Sequence, residues 1–128
     1  MAFKRAHQIL LIETEFYTRV RLDDELAEHG YVVTSVKKVR DAFFKMKAQM
    51  FKALIMSYDK DIDTVLRMLA TLRASNNQIP AVILAKKPTE EQLIQLLSYR
   101  PIEVVVKPYA LVELLHRLEQ VCDVEVKP

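Results

Sequence analysis

Charged and hydroxyl side chains come directly after the short apolar segments of this sequence. The four positions are Glu13-Thr14-Glu15, Ser57-Tyr58-Asp59, Lys86-Lys87 and Lys107-Pro108-Tyr109. Carboxylates can hold a divalent cation, a serine can act as a nucleophile, and a lysine can bind an anion. The chemistry open to these positions is therefore cation binding, nucleophilic attack or anion binding.

Ser57 lacks a candidate general base in the sequence. A catalytic serine needs an adjacent group that takes its proton. The three histidines, His7, His29 and His116, fall at the start of the chain or on helix ends and outer faces. We therefore expect Ser57 to be a small polar residue that fills a pocket, and we expect the chain not to be an enzyme.

Two acids follow Ser57 and could each accept a phosphoryl group, Asp59 and Asp61. Carboxylates are also favoured in the first turn of a helix, because the helix dipole is positive there. We expect both residues to begin the third helix.

Lys107 has two possible roles. An unpaired, partly buried ammonium is costly, so we expect Lys107 to lie within salt-bridge distance of Glu13 or Glu15. The alternative is a cation that binds an anion, alone or together with Lys86 and Lys87.

The composition removes several other classes of site. The chain has 128 residues, 19 Lys and Arg against 17 Asp and Glu, a net charge of +2, one Cys and one Gly. A single Cys excludes an intrachain disulfide and a cysteine-rich zinc site, and a single Gly excludes a glycine-rich phosphate loop. The apolar runs fall short of the roughly 20 residues of a membrane span, and the first residues are not typical of a signal peptide. We expect a cytoplasmic protein without membrane contact.

A basic stretch runs through Lys37-Lys38-Val39-Arg40 and continues with Lys45, Lys47 and Lys52. Nucleic-acid binding requires a basic stripe without offsetting acids, and acids elsewhere in this chain balance the total charge. We expect a solvated face that binds no nucleic acid.

Strand-like and helix-like segments alternate five times. Strands are predicted at residues 9–12, 31–36, 53–56, 81–85 and 104–106. Apolar residues at helical spacing follow each strand, Gly30 indicates the end of the first helix, and Thr89-Glu90-Glu91-Gln92 is typical of a capping box. Parallel strands need crossover connections, and continuously apolar strands are typical of a sheet covered on both faces. The pattern predicts one doubly wound α/β domain over residues 1–123, with a five-stranded parallel sheet, followed by a tail or linker start at 124–128.

In this order of elements, the sequence resembles the receiver domains of bacterial response regulators, to about Cys122. The similarity is carried by Leu26-Ala27-Glu28-His29-Gly30-Tyr31-Val32-Val33, Ile79-Pro80-Ala81-Val82-Ile83-Leu84 and Val104-Val105-Val106-Lys107-Pro108-Tyr109. The resemblance implies a flavodoxin-like sheet with strand order 2-1-3-4-5.

That family phosphorylates an Asp at the end of strand three, holds Mg²⁺ with an acid pair after strand one, and ends strands four and five with a hydroxyl residue and a Lys. The resemblance places the corresponding positions at Ser57, at Glu13 and Thr14, at Ala85 and at Lys107, and the family's switch aromatic at Val104. Only the Lys and one acid keep the family's residue type. Ser57 and Thr14 each remove a carboxylate that would hold Mg²⁺, and without the metal a transferring phosphoryl group lacks its main charge stabilisation.

We therefore expect a degenerate pseudo-receiver with no catalytic residue, no metal and no cofactor, which signals without phosphorylation. Two alternatives stay open. One is phosphorylation of a displaced acceptor such as Asp59, and the other is a small-anion or ligand sensor in the pocket around Ser57, Thr14 and Lys107.

The fourth helix indicates how such a module could act. At about 100° per residue, its apolar residues cover roughly 160° of the helix surface, wider than the stripe of about 100° that a half-buried helix needs. We expect part of that surface to stay exposed. In receivers, the face formed by the fourth helix, fifth strand and fifth helix docks protein partners or a second copy. Here that face is expected to contain Leu93, Leu97, Val104, Tyr109 and Arg117.

Overall fold

The computed structural model describes residues 7–123, in which five strands alternate with five helices. The strands are β1 (Gln8–Ile12), β2 (Val32–Val36), β3 (Ala53–Tyr58), β4 (Ala81–Lys86) and β5 (Ile102–Lys107). The helices are α1 (Phe16–Glu28), α2 (Val39–Ala48), α3 (Ile62–Ala74), α4 (Glu90–Leu97) and α5 (Leu111–Asp123). All strand pairs are parallel, and the sheet order is β2-β1-β3-β4-β5. The predicted fold class and strand order are confirmed, while the tail predicted at 124–128 lies outside the described residues.

The sheet separates two apolar cores, because successive side chains of a strand point to opposite faces. Leu54 of β3 and Ile83 of β4 pack in the layer covered by α2, α3 and α4. Their neighbours Ile55 and Val82 pack in the layer covered by α1 and α5. All four side chains are fully buried, which explains why the central strands are continuously apolar in sequence.

Local contacts and backbone conformation at helix ends fix several element boundaries. The predicted capping box is present in full: the Thr89 hydroxyl accepts from the backbone of Gln92, and the Gln92 side chain accepts from the backbone of Thr89. Gly30 follows α1 with a φ of +90°, the left-handed conformation that a glycine adopts without a Cβ penalty. Within residues 7–123, no helix is long and apolar enough to cross a bilayer.

Arg73, near the end of α3, holds together the loops at the amino ends of β4 and β5. Its guanidinium donates to the carbonyl oxygens of Asn77 and Ile79 at 2.9 and 2.8 Å, and to those of Tyr99 and Pro101 at 2.9 and 3.1 Å. Four carbonyls from two loops therefore depend on one cation, a contact that nothing in the sequence pattern indicated.

We predict that Arg73→Ala lowers the free energy of unfolding by about 2 kcal/mol, because carbonyls that are partly shielded from water lose a charged donor. The measurement is urea denaturation followed by circular dichroism. Arg67→Ala is the matched control, since Arg67 lies on the exposed side of the same helix, and its effect should stay within about 0.5 kcal/mol. Equal losses in the two variants would contradict the proposed role of Arg73.

Candidate functional site

The carboxyl ends of the parallel strands meet at one edge of the sheet, here called the carboxyl edge. Ser57 of β3 is opposite Leu84 of β4, and Lys86 of β4 is opposite Lys107 of β5. Glu13 directly follows β1, which pairs with β3 on its other side. Glu13, Ser57, Asp59 and Lys107 line one cavity of about 510 Å³. The structure therefore brings together most of the polar residues that the sequence placed after the strands.

Lys107 is the centre of the polar contacts at this edge. Its Nζ donates to Ser57 Oγ at 2.5 Å and to Asp59 Oδ1 at 3.0 Å, so the side chain reaches from β5 past β4 to β3. The side chain of Lys107 is 20% exposed and that of Asp59 is 62% exposed. The hydrogen bond from Lys107 lowers the pKa of Asp59, with smaller contributions from the charges of Lys107, Lys86 and Lys60.

The prediction that Lys107 pairs with Glu13 or Glu15 is wrong, because both carboxylates are held elsewhere. Glu15 caps α1, where it accepts from the backbone nitrogens of Tyr17 at 3.2 Å and Thr18 at 2.6 Å. Glu13 is buried, and its Oε2 accepts from the backbone nitrogen of Glu15 at 3.4 Å. Asp59 follows β3 directly and reaches the ammonium instead.

The expectation that both Asp59 and Asp61 begin the third helix is confirmed for Asp61 and wrong for Asp59. The helix begins at Ile62, and Asp61 is its N-cap, accepting from the backbone nitrogen of Thr64 at 3.1 Å and from its hydroxyl. The hydroxyl of Thr64 lowers the pKa of Asp61. Asp59 lies before the cap, so its carboxylate is left to pair with Lys107.

The loop after β1 is held by Arg19 of α1, which the sequence did not single out. Arg19 Nη1 donates to the carbonyl oxygens of Glu13 at 2.9 Å and Thr14 at 3.4 Å. The guanidinium also lies 5.6 Å from the ring centre of Phe16, within the range of a cation–π contact. Thr14 itself is exposed and lines the second cavity at this edge, of about 680 Å³.

Ala85 and Tyr58 occupy neighbouring positions on β4 and β3. Ala85 is fully buried in the core under α3 and α4. Because the residue is an alanine, this position offers no hydroxyl. The Tyr58 hydroxyl is buried and has no hydrogen-bond partner among residues 7–123, and burial raises the pKa of Tyr58. The sequence places Tyr58 among the residues at the strand ends, but its pattern does not indicate that the hydroxyl is buried without a partner.

The residues at the carboxyl edge do not fit the magnesium ion that the receiver resemblance implies. Mg²⁺ needs an octahedral set of oxygens that includes carboxylates. Here Glu15 and Asp61 cap helices and Asp59 is paired with Lys107. In the described part of the chain, no group of three or more His, Cys, Asp or Glu residues is arranged to hold a metal ion.

The contact between Ser57 and Lys107 resembles a serine–lysine catalytic pair in composition alone. In such a pair the amine must accept the serine proton. Lys107 is ion-paired with Asp59, and an ammonium has no lone pair to accept that proton. The geometry therefore favours a hydrogen bond that positions Ser57 over one that activates it.

The predicted interaction face is only partly assembled as expected. On α4, Leu96 is fully buried while Ile94 and Leu97 are 63% and 45% exposed, which confirms that part of the apolar surface stays exposed. Leu93 is half-buried, and Arg117 Nη1 lies 3.4 Å from Glu103 Oε2.

Two members of that face are drawn into the cores. Val104 packs against the core under α3 and α4, and Tyr109 packs against the core on the α1 and α5 side, where burial raises its pKa to about 12. The sequence reasoning missed Val106 and Val112, which are 46% and 72% exposed. Successive side chains of a strand point to opposite faces of the sheet. Val106 therefore lies on the same face as Val104, and the fully buried Val105 lies on the other.

Comparison with solved structures supports the fold more strongly than comparison of sequences does. The chain is 27% identical over 113 residues to the swarming motility regulation protein RssB of Serratia marcescens, an alignment that covers 88% of this chain and 52% of RssB. It thus spans about half the length of that relative. No protein-family model matches the chain.

Solved receiver structures superpose closely on the chain at low identity. The receiver domain of response regulator 1452 of Francisella has a TM-score of 0.82 at 18% identity, covering 91% of this chain and 96% of that one. FixJ-N has a TM-score of 0.84 at 12% identity, covering 98% and 100%. A receiver protein of Pseudomonas putida has a TM-score of 0.82 at 16% identity, covering 92% and 99%. The chain therefore has the fold of response-regulator receiver domains.

We predict that Lys107→Gln raises the pKa of Asp59 toward its ordinary value, because the hydrogen bond that lowers it is weakened and the charge is removed. Carboxyl-carbon NMR titration measures this directly. A lowered pKa means that the pair stabilises the fold above the unfolded-state pKa of about 3.9 and that this contribution is lost as the pH falls through the folded-state pKa.

Asp61 is the internal control for this titration, because its pKa depends on Thr64 and not on Lys107. It should be unchanged in Lys107→Gln and rise in Thr64→Val. An unchanged Asp59 titration in Lys107→Gln would contradict the ion pair.

Proposed function

We propose that the chain is a pseudo-receiver, a receiver-like signalling module that docks protein partners without being phosphorylated. The observation that carries the proposal is the contact of Lys107 with Ser57 and Asp59. Ser57 stands where the family resemblance places the phosphoacceptor Asp, and a serine hydroxyl is neither an acyl-phosphate acceptor nor an anionic metal ligand. We also propose that the chain performs no enzymatic turnover and acts in the bacterial cytoplasm.

The electrostatics of the edge support this proposal. The Lys107 ammonium is already neutralised by Asp59 and hydrogen-bonded by Ser57, so no phosphoryl group is needed to satisfy it. Ala85 offers no hydroxyl to a phosphate at the edge. Glu15 and Asp61 cap helices and Asp59 is ion-paired, which leaves Glu13 as one buried carboxylate at the edge. With so few carboxylates available, a transferring phosphoryl group would lack metal stabilisation.

A displaced acceptor is the second candidate function, and one observation favours it. Asp59 is largely exposed and lies 3.0 Å from Lys107, so a phosphoryl group on its carboxylate would lie beside a cation. This candidate still needs a metal ion or another cation to stabilise transfer. The anion-sensor alternative needs Lys107 to exchange Asp59 for the ligand, and it remains a prediction.

The proposed docking face consists of exposed apolar side chains on β5 and on the two helices that each pack against it, α4 and α5. Its members are Ile94, Leu97, Val106 and Val112. Clustered exposed apolar residues are typical of a surface covered by a partner. We propose a partner protein or a second copy of the chain as its occupant. The similarity to a swarming motility regulation protein is in keeping with a regulatory role.

We predict that acetyl phosphate with Mg²⁺ adds no phosphate to the chain, because the edge lacks both an acceptor Asp at position 57 and a metal site. Intact-mass spectrometry after rapid acid quenching is the measurement, with a conventional receiver domain run in parallel to show that the donor is active. Added phosphate that disappears in Asp59→Asn would establish the displaced acceptor and overturn the proposal.

We predict that Leu97→Glu and Ile94→Glu each abolish association through the docking face, because a carboxylate buried against apolar groups is unfavourable. Sedimentation equilibrium reports self-association, and capture from an extract of the source cell reports a different partner. Tyr17→Glu is the control, since Tyr17 is 78% exposed and lies on α1, which covers the opposite face of the sheet from α4. Association that survives both α4 substitutions would refute the assignment of this face.

A further inference from the structure

Positive charge is concentrated in α2 and in the residues that flank it. Residues 37–52 contain six cations and one acid, Asp41, in a chain whose net charge is only +2. The cations are Lys37, Lys38, Arg40, Lys45, Lys47 and Lys52. The rest of the chain is therefore net negative, and the balanced total conceals a basic surface.

Helix stability does not account for all of these cations. Lys45 and Lys47 lie in the last turn of α2, where the helix dipole favours positive charge. Lys38 is the N-cap of the same helix without a side-chain capping bond, and Arg40 lies in its first turn. Cations at a helix N-terminus oppose the dipole, so these two residues weaken the helix they begin.

Apolar side chains are exposed among the cations. Phe44 is 66% exposed, and Phe43 beside it is half-buried. Together with Val39, Arg40 and Lys47 they line a shallow depression of about 420 Å³. At 100° per residue these five positions lie within about 140° of one another, so they form one side of the helix. We call these five residues the basic–aromatic face.

A solvated charged surface explains the lysines but not an exposed phenylalanine between two cations. An exposed ring costs free energy unless something covers it, and cations beside it select a negatively charged cover. The chemistry that fits is a carboxylate next to an apolar side chain.

We propose that the basic–aromatic face binds an acidic segment of a partner protein, with carboxylates at Arg40 and Lys47 and an apolar side chain against Phe43 and Phe44. This surface is separate from the proposed docking face. It flanks β2 at one edge of the sheet, whereas the docking face lies around β5 at the other. The outcome of a test of the basic–aromatic face therefore leaves the proposed function unaffected.

The surroundings favour a short acidic segment over a nucleic acid or an anionic membrane. Helix α1 packs on the opposite face of β2, and its second half carries acids. These acids are Asp23, Asp24, Glu25 and Glu28. A long polyanion or a flat anionic surface laid over this edge would meet those acids, whereas a peptide seated in the depression would not.

The test is fluorescence anisotropy with two labelled peptides of glutamates, one with a central phenylalanine and one with serine at that position. The wild-type chain should bind the phenylalanine peptide more tightly, and binding should weaken as salt is raised. Combined Arg40→Glu and Lys47→Glu should weaken binding by about tenfold or more, because each reversal opposes a carboxylate. Phe44→Ser should remove the preference for phenylalanine.

Matched substitutions elsewhere separate a specific site from general charge and apolar effects. Arg100→Glu changes the charge in an exposed position before β5, and Tyr17→Ser removes an exposed aromatic ring on α1, outside both proposed surfaces. Both should bind the peptide as the wild type does, with circular dichroism confirming that every variant is folded. Absence of wild-type binding, or equal weakening by Arg100→Glu, would overturn the proposal. Tighter binding of polyuridine RNA or phosphatidylserine vesicles than of the peptide would also overturn it.

Discussion

The arrangement of the carboxyl edge depends on how the ammonium of Lys107 is neutralised. A lysine that is only 20% exposed at the end of a strand is unfavourable without a partner. Asp59 supplies the charge and Ser57 supplies a second acceptor, both from β3 or the residues that directly follow it. The pair thereby ties β5 to β3 past the strand between them. The Lys107 ammonium is thus neutralised and hydrogen-bonded by side chains of the chain itself.

The remaining carboxylates are assigned by local backbone geometry. The first backbone N–H groups of a helix have no partner within the helix, and a side-chain oxygen just before the helix satisfies them. Glu15 does this for α1 and Asp61 does it for α3. Each acid used as a cap is withdrawn from the centre of the edge, where Glu13 is left as a buried carboxylate. The poor fit to a magnesium ion thus follows from helix capping as much as from the residues at positions 14 and 57.

The sequence predicted the parts of this structure that depend on chain periodicity. Apolar strands alternating with amphipathic helices require a parallel sheet, and a parallel sheet brings Glu13, Ser57 and Lys107 to one edge. The pairing of Lys107 was not predictable in the same way, because it depends on side-chain reach and on which acids the helix caps have already engaged. The role of Arg73 was not predictable for a related reason, since its four carbonyl partners lie on two loops that are close only in the folded chain.

Net charge is a poor guide to what the surface of this fold can bind. The total of +2 arises from a basic segment around α2 and an excess of acids elsewhere, including the second half of α1 on the other side of β2. Interactions between exposed charges are screened beyond about 10 Å at moderate salt, so a partner responds to the local charge and not to the sum. The cation at the carboxyl edge is neutralised by its own ion pair. The two proposed surfaces lie on α2 and on α4, β5 and α5, where exposed apolar side chains are found. Under the proposed function, partner binding at these two surfaces requires no phosphorylation at the carboxyl edge.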